Sequence, residues 1–471
     1  MLPEPVSPVA KRRFEPAETR RSFEPLQYIS MDSPEDSLTP DGGRPRSSPP
    51  NQRDPFAEGI DRRRLMRSSA AAGAGATAAL AGCVGGSDGD DQRAPTVYAF
   101  NNGDRTVTVI DAETDEALET AHVDTTASFP ANQYGTGADS TYDTLWLNVN
   151  GGVKALDAHT LEAVARVETG FEPSYPNLTP NEEHLLVAAG GTTTLDPDPD
   201  DPDDHVIVRI DADRDSDTFG EVTGEIRTGH TGPCDVTLEP SGEYAYVPEI
   251  ADETLRVVGV EPFETAAEID VGDPVGDGNV LSFMATASFA GDLLLVENGE
   301  GTLGPDPAVP REGSESIWDI STPDDPAELE RITRDDGLPA APITSEIDPD
   351  GEAGYLFTPE ADSVTVLALE DGTIDGELDV GGSAISGAWG PRREKLYVPV
   401  QTANHVAVID RAERDVVATV DTGESPTGAV GGTVRPETST SRRLRGSLAA
   451  LGLEFGEREA TYCPDDNCYC G

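Results

Sequence analysis

Lysine is almost missing from this 471-residue chain. Only Lys11, Lys154 and Lys395 occur, and Lys and Arg together number 33 against 89 Asp and Glu, a formal net charge of −56. A surface this acidic repels polyanions, so DNA, RNA and anionic membrane faces are not expected as partners. Histidine is scarce too, and six scattered over the whole length speak against a multi-histidine metalloenzyme. No serine nucleophile elbow, phosphate loop, zinc-protease helix or pair of catalytic carboxylates can be picked out, so no catalytic residue is named and an enzyme is not the expected class. A long apolar run is also lacking. The most hydrophobic stretch of the first hundred residues, 68–82, is too short and too rich in Ala and Gly for a membrane span.

The acidity itself is unevenly placed. Residues 1–83 are nearly balanced, with 12 basic and 11 acidic side chains, so the excess belongs to the part after Cys83. There Asp and Glu sit at turns while apolar strand positions are kept, which resembles the proteins of salt-loving archaea. In about 1 M salt the Debye length is near 3 Å and closely spaced carboxylates barely repel. In dilute buffer they repel over a longer range, and desalting is expected to unfold the protein; a circular dichroism spectrum unchanged between molar and millimolar salt would refute that.

Residues 1–58 carry eleven prolines and little periodicity, the composition of a disordered extension; Met31 is an alternative start. Asp61-Arg62-Arg63-Arg64-Leu65-Met66-Arg67, followed by small residues, resembles a twin-arginine export signal over 59–83, with Arg62 and Arg63 as the pair. Leu80-Ala81-Gly82-Cys83 resembles a lipobox, which implies lipidation of Cys83, anchoring through more than one acyl chain, and a place on the outer face of the cell membrane. Residues 84–95 read as a flexible tether.

From residue 96 to 436 one pattern recurs seven times. Short strands in which apolar and polar residues alternate begin at Val97, Leu145, Leu185, Tyr244, Leu293, Gly354 and Lys395. Tyr98, Tyr355 and Tyr397 each precede Val107, Val364 and Val406 by nine residues. A Gly or polar turn and then Pro follows most copies, as at Gly170/Pro173, Gly229/Pro233, Gly272/Pro274, Gly337/Pro339 and Gly423/Pro426. Hairpin signals such as Pro240-Ser241-Gly242-Glu243 and Pro349-Asp350-Gly351-Glu352 precede the next copy. Val-Ile-Asp at 109–111 and 408–410, Pro-Asp-Gly at 349–351, and YAFN at 98, YVPE at 246 and YVPV at 397 make residues 96–434 resemble the YVTN family of β-propeller repeats.

The resemblance and the repeat count imply an all-β fold, a seven-bladed β-propeller of four-stranded antiparallel blades. The first copy lacks its innermost strand, and the extra strand 427–434 after the last copy is expected to supply it and close the ring. Residues 437–471 would add a short helix, from the spacing of Leu444, Leu448, Leu451 and Phe455, and a cysteine-rich tail.

Candidate chemistry is sparse. Propeller ligands usually sit where loops enter the innermost strands, here Ser174-Tyr175-Pro176, His230 to Asp235, Pro342-Ile343-Thr344 and Ser425 to Gly428. His230 and Cys234 could share copper or a haem iron, although a turn histidine and a small buried cysteine explain them as well. Cys463, Cys468 and Cys470 could bind zinc or copper, form a disulfide, or lie in an unstructured tail, with one thiol left for Cys234. The acidic run 196–204 reads as a solvated loop, and Asp211 to Asp217 fails the EF-hand pattern because Ser216 replaces its glycine. The expected function is a monomeric, lipid-anchored cell-surface scaffold binding a surface protein or small molecule at the propeller funnel. The competing class is a haem- or copper-dependent oxidoreductase similar to the d1 domain of nitrite reductase.

Overall fold

The protein is described by a computed structural model. It covers residues 93–437 apart from 124–129, 134–142, 171, 191–204, 230–231, 251–252, 276–277 and 302–311, together with 444, 447 and 448. The extension 1–58, Arg62, Arg63, Cys83, His230, most of the expected C-terminal helix and the cysteine tail lie outside the described residues.

Strands pair into seven antiparallel blades. Blade 1 holds Pro426–Val434, Arg93–Asn101, Thr106–Asp111 and Glu116–His122. Blade 2 holds Thr144–Val149, Gly152–Asp157 and Ala163–Glu168, with Pro130 bridging to Leu147 where an innermost strand would run. Blade 3 runs from Glu172–Leu178 through His184–Gly190 and His205–Asp211 to Val222–Gly229. Blade 4 follows with Thr237–Leu238, Tyr244–Glu249, Thr254–Gly259 and Glu264–Asp270, and blade 5 with Asn279–Ala287, Leu293–Gly301, Glu312–Asp319 and Ala327–Ile332. Blade 6 holds Thr344–Ile347, Ala353–Thr358, Ser363–Ala368 and Thr373–Asp379; blade 7 holds Ala388–Trp389, Lys395–Val400, His405–Asp410 and Asp415–Asp421.

The closing strand is where the repeat pattern puts it. Pro426–Val434 pairs with Arg93–Asn101, with Val430 opposite Tyr98 and Gly428 opposite Phe100, so the chain's last strand completes its first blade and covers that blade's inner edge. The first strand begins at Arg93, three residues before the propeller was expected to start. The Tyr98 hydroxyl donates to the Val434 carbonyl, and Tyr397 of blade 7 reaches Asp115 of blade 1 at 2.7 Å. Close approach explains one glycine here: a Cβ on Gly431 would stand 2.6 Å from the Trp389 carbonyl oxygen of blade 7.

The turns follow their residues. Gly242 and Gly351 hold positive φ of 74° and 72° in the Pro-Ser-Gly and Pro-Asp-Gly hairpins, conformations that cost other residues more. Tyr98, Tyr246, Tyr355 and Tyr397 are all fully buried between blades, so the repeated tyrosine is a core residue that wedges neighbouring sheets.

The outermost strand of every blade carries a one-residue bulge at the same pairing step, its extra residue being Leu118, Val164, Thr223, Ala266, Leu329, Asp375 or Val417. Bulges twist an edge away from further pairing. An array of seven exposed edges needs such protection.

Candidate functional site

Antiparallel pairing sorts the connections onto two faces. Hairpins join first to second and third to fourth strands on one face. The other face receives the loops that enter each innermost strand and the second-to-third connections, including the long segments 191–204 and 302–311 between strands of blades 3 and 5.

At this loop-rich face the entry ends of the inner strands are stitched blade to blade. Thr344 Oγ1 donates to Ile385 O at 2.8 Å and Ser386 Oγ to Thr427 O at 2.8 Å, and deeper in the ring, near the hairpin end of its strand, Thr286 Oγ1 donates to Ser345 O at 2.9 Å. Ser174 Oγ donates to Cys234 O in the same manner. Between blades 4 and 5 a carboxylate takes over: Asp235, in register with Thr344 and Ser386 of later blades, accepts from the Ala285 amide at 3.0 Å and from its own Val236 amide at 2.7 Å. Above these bonds an apolar cluster gathers Cys234, Ile250, Phe283, Met284, Ile343 and Ile385.

Directly behind that cluster lies a layer of buried carboxyls that the sequence did not disclose. Glu297 stands opposite Met284 on one side and Glu315 on the other, and both glutamates are 0 % exposed. None of their four carboxyl oxygens has a hydrogen-bond partner among the described residues. The Ser345 hydroxyl lies near enough to Glu297 to draw its pKa down somewhat, yet it makes no well-directed hydrogen bond. Glu346, on the inner strand of blade 6, completes the layer with Asp235. A facing carboxyl pair thus exists, fully enclosed.

The registers show how unusual this is. The pair equivalent to Glu297–Glu315 is Phe100–Val107 in blade 1, Ala188–Ile207 in blade 3, Pro248–Leu255 in blade 4, Phe357–Val364 in blade 6 and Pro399–Val406 in blade 7. Two acids thus occupy a slot that five other blades fill with apolar side chains and blade 2 fills with Asn148 and Val153. Burial, which penalises the charged form, pushes Glu346 up to about 8, with repulsion from Glu297 adding to it. Burial likewise lifts Asp235 to about 7 against the pull of its two amide donors. Glu297 and Glu315 both move upward, first by desolvation and then by the nearby acids: Asp235 for Glu297 and Glu297 for Glu315. In each of the four carboxyls burial favours the protonated form, least in Asp235, whose two amide donors favour its anion.

Of the candidate ligand, lipidation and export-signal residues named from sequence, Cys234 alone is described. It is 1 % exposed and disulfide-bonded, its partner lying outside the described residues, and a disulfide sulfur offers a metal no thiolate. His230, Cys463, Cys468 and Cys470 as candidate ligands, like Cys83, Arg62 and Arg63, lie outside the description. Among the described residues no group of three His, Cys, Asp or Glu side chains is arranged to hold a metal ion, and no helix is long and apolar enough to cross a membrane.

A separate cavity of about 520 Å³ opens on the hairpin face between blades 3 and 4, lined by Thr179, Asn181, His184, Tyr244, Glu261 and Glu264 among others. His184 Nε2 lies 3.4 Å from Glu261 there, and the Arg209 guanidinium sits 5.3 Å from the Phe263 ring centre.

The class these features define is the seven-bladed β-propeller. No family model and no curated protein matches the chain. Solved structures do. Hydrazine synthase of Kuenenia stuttgartiensis superposes with a TM-score of 0.52 at 16 % identity, over 70 % of this chain and 99 % of that one. The periplasmic gluconolactonase of Pseudomonas aeruginosa gives 0.53 at 15 %, over 72 % and 99 %. A protein of unknown function from Desulfotomaculum acetoxidans gives 0.51 at 15 %, over 73 % and 100 %. At such identities these likenesses establish the fold, on which many functions are grafted.

Proposed function

We propose that the protein is an exported propeller, held at the outer face of the membrane through a lipid on Cys83, that binds a ligand or surface partner on its loop-rich face. The observation that carries the reading is the asymmetry of the ring. One face carries the first-to-second and third-to-fourth turns, the longest being 212–221, whereas the other receives every inner-strand entry together with the second-to-third connections, which span 191–204 in blade 3 and 302–311 in blade 5. Binding residues concentrate on loops held by a rigid scaffold, and here closure by Pro426–Val434 fixes the platform. The twin-arginine pair Arg62 and Arg63, the lipobox cysteine and the YVTN-like motifs support export to a place where such a platform meets partners.

Cell fractionation tests the anchoring. Wild-type protein should sediment with membranes and Cys83→Ser should appear in the medium; membrane retention of the variant would contradict the reading. Shortening 191–204 and 302–311 to tight turns should leave the circular dichroism spectrum intact while abolishing binding on that face. Turnover of gluconolactone above its spontaneous rate, or a visible band from haem or cupric thiolate in purified protein, would replace the scaffold with an enzyme.

A further inference from the structure

Five blades carry an apolar pair at the slot of Glu297 and Glu315 and blade 2 carries Asn148 and Val153, whereas blades 4 to 6 place ionisable groups directly beneath the apolar cluster. Each contributes to both layers. Cys234 of the cluster is followed by Asp235, Met284 faces Glu297 across the sheet, and Ile343 precedes Ser345 and Glu346 on the same strand. Glu315 backs Glu297 from the third strand of blade 5.

We infer that Glu297, Glu315, Glu346 and Asp235 form an interior proton-binding site that keeps the apolar mouth of the ring closed while loaded and loosens it when emptied. Three observations that do not depend on one another carry this. The facing pair sits where other blades place Phe100–Val107 and Phe357–Val364. Both carboxyls are fully buried and unpartnered. A third polar group, the Ser345 hydroxyl, is 3 % exposed and stands beside Glu297, where it favours the anion without a well-directed hydrogen bond.

The electrostatics agree in sign. The titratable groups facing Glu297 are Glu315 on its own sheet, Asp235 from blade 4 and Glu346 from blade 6. All are acids, so each proton lost makes the next carboxylate costlier. Burying one ionised carboxylate without a partner costs several kcal/mol, which the layer avoids by holding its protons. Losing them drives water or solvent cations toward the acids, and the apolar cluster lies in the way.

The test uses the full-length protein in high salt. Infrared difference spectra of wild type against Glu297→Gln/Glu315→Gln at pH 7 should show protonated-carboxyl stretches present only in the wild type. Hydrogen-exchange protection factors at 281–285 and 343–346, corrected for the base-catalysed intrinsic rate, should fall in the wild type as pH rises from 6 to 9 and stay level in the variant. At pH 8 the melting temperature of the variant should exceed that of wild type by about 5 °C. If the glutamine pair fails to fold, Glu297→Phe/Glu315→Val, which restores the side chains of blades 1 and 6, provides the reference. Absence of protonated-carboxyl stretches at pH 7, or protection factors that fall equally in wild type and variant, would overturn the proposal. So would a wild-type melting temperature at pH 8 raised by calcium but not by acidification, which would make the layer a metal site.

Discussion

Blades 4 and 5 bury glutamates one repeat position apart and treat them oppositely. In blade 4, Glu249 is fully buried but receives a two-pronged guanidinium: Arg256 Nε donates at 2.6 Å and Nη2 at 3.0 Å, and its Nη1 reaches Glu268 at 2.6 Å. In blade 5, Glu297 lies one position earlier, faces another acid and has no cation at all among its electrostatic neighbours. The first arrangement is a satisfied charge network; the second is a neutral acid pair. A buried carboxylate keeps its charge only where a fork-shaped donor supplies the hydrogen bonds water would have made. Where none is supplied it keeps a proton instead.

The widest break in this comparison comes from opening the ring that encloses both blades. Truncation after Val420 removes the closing strand and should abolish cooperative unfolding, a loss comparable with a whole domain's ~5–15 kcal/mol. Truncation after Pro436 keeps that strand and should cost no more than the ~4 kcal/mol a disulfide can supply. Equal thermal unfolding of the two would count against closure.

Next in size is the blade 4 network. Arg256→Met strands Glu249 in the interior and should destabilise by ~3–5 kcal/mol, while Arg256→Met with Glu249→Leu should recover most of that. Denaturant titration of single and double variants checks both.

A smaller effect of opposite sign is expected in blade 5, where Glu297→Phe/Glu315→Val should stabilise by about 2 kcal/mol or more at pH 8 and by much less at pH 5. The sign follows from linkage. A buried acid such as Glu346, raised from 4.5 to about 8, still binds a proton that the unfolded chain has released. Its contribution is fully present below about pH 4.5, is lost as pH climbs toward 8, and changes no further above that. Melting temperatures of wild type and variant should therefore converge toward acid and diverge toward alkali. The smallest change comes from Ser345→Ala, which removes the one hydroxyl that steadies the Glu297 anion. Glu297 should become still harder to ionise, with a stability change under ~1 kcal/mol, read from the pH midpoint of the same melts.

The ring was readable in the chain because its signals are local. Alternation along strands of about six residues, the Pro-Asp-Gly and Pro-Ser-Gly hairpins, and the nine-residue offset from Tyr98 to Val107, Tyr355 to Val364 and Tyr397 to Val406 each report one sheet. The unpaired ends of the repeat told where the circle closes. The carboxyl layer was not readable in that way, because Glu297 and Glu315 look like two more acids in a chain with 89. Only the pairing register, spanning a connection of more than ten residues, shows that they face each other in the slot of Phe100 and Val107. Asp235 lay inside an entry loop already singled out, but attention fell on His230 and Cys234, whose softness is visible in residue type alone. Burial, which turns an ordinary aspartate into a proton holder, belongs to the fold and not to the residue.

Proton counting tests the central contrast most directly. When the wild type is unfolded at pH 7 in a weakly buffered, high-salt solution, the acid layer of blade 5 should release its protons, and Glu297→Gln/Glu315→Gln should release about two fewer. Arg256→Met, acting on the charged network of blade 4, should not lower the count. Equal release by the wild type and the glutamine variant would contradict the account.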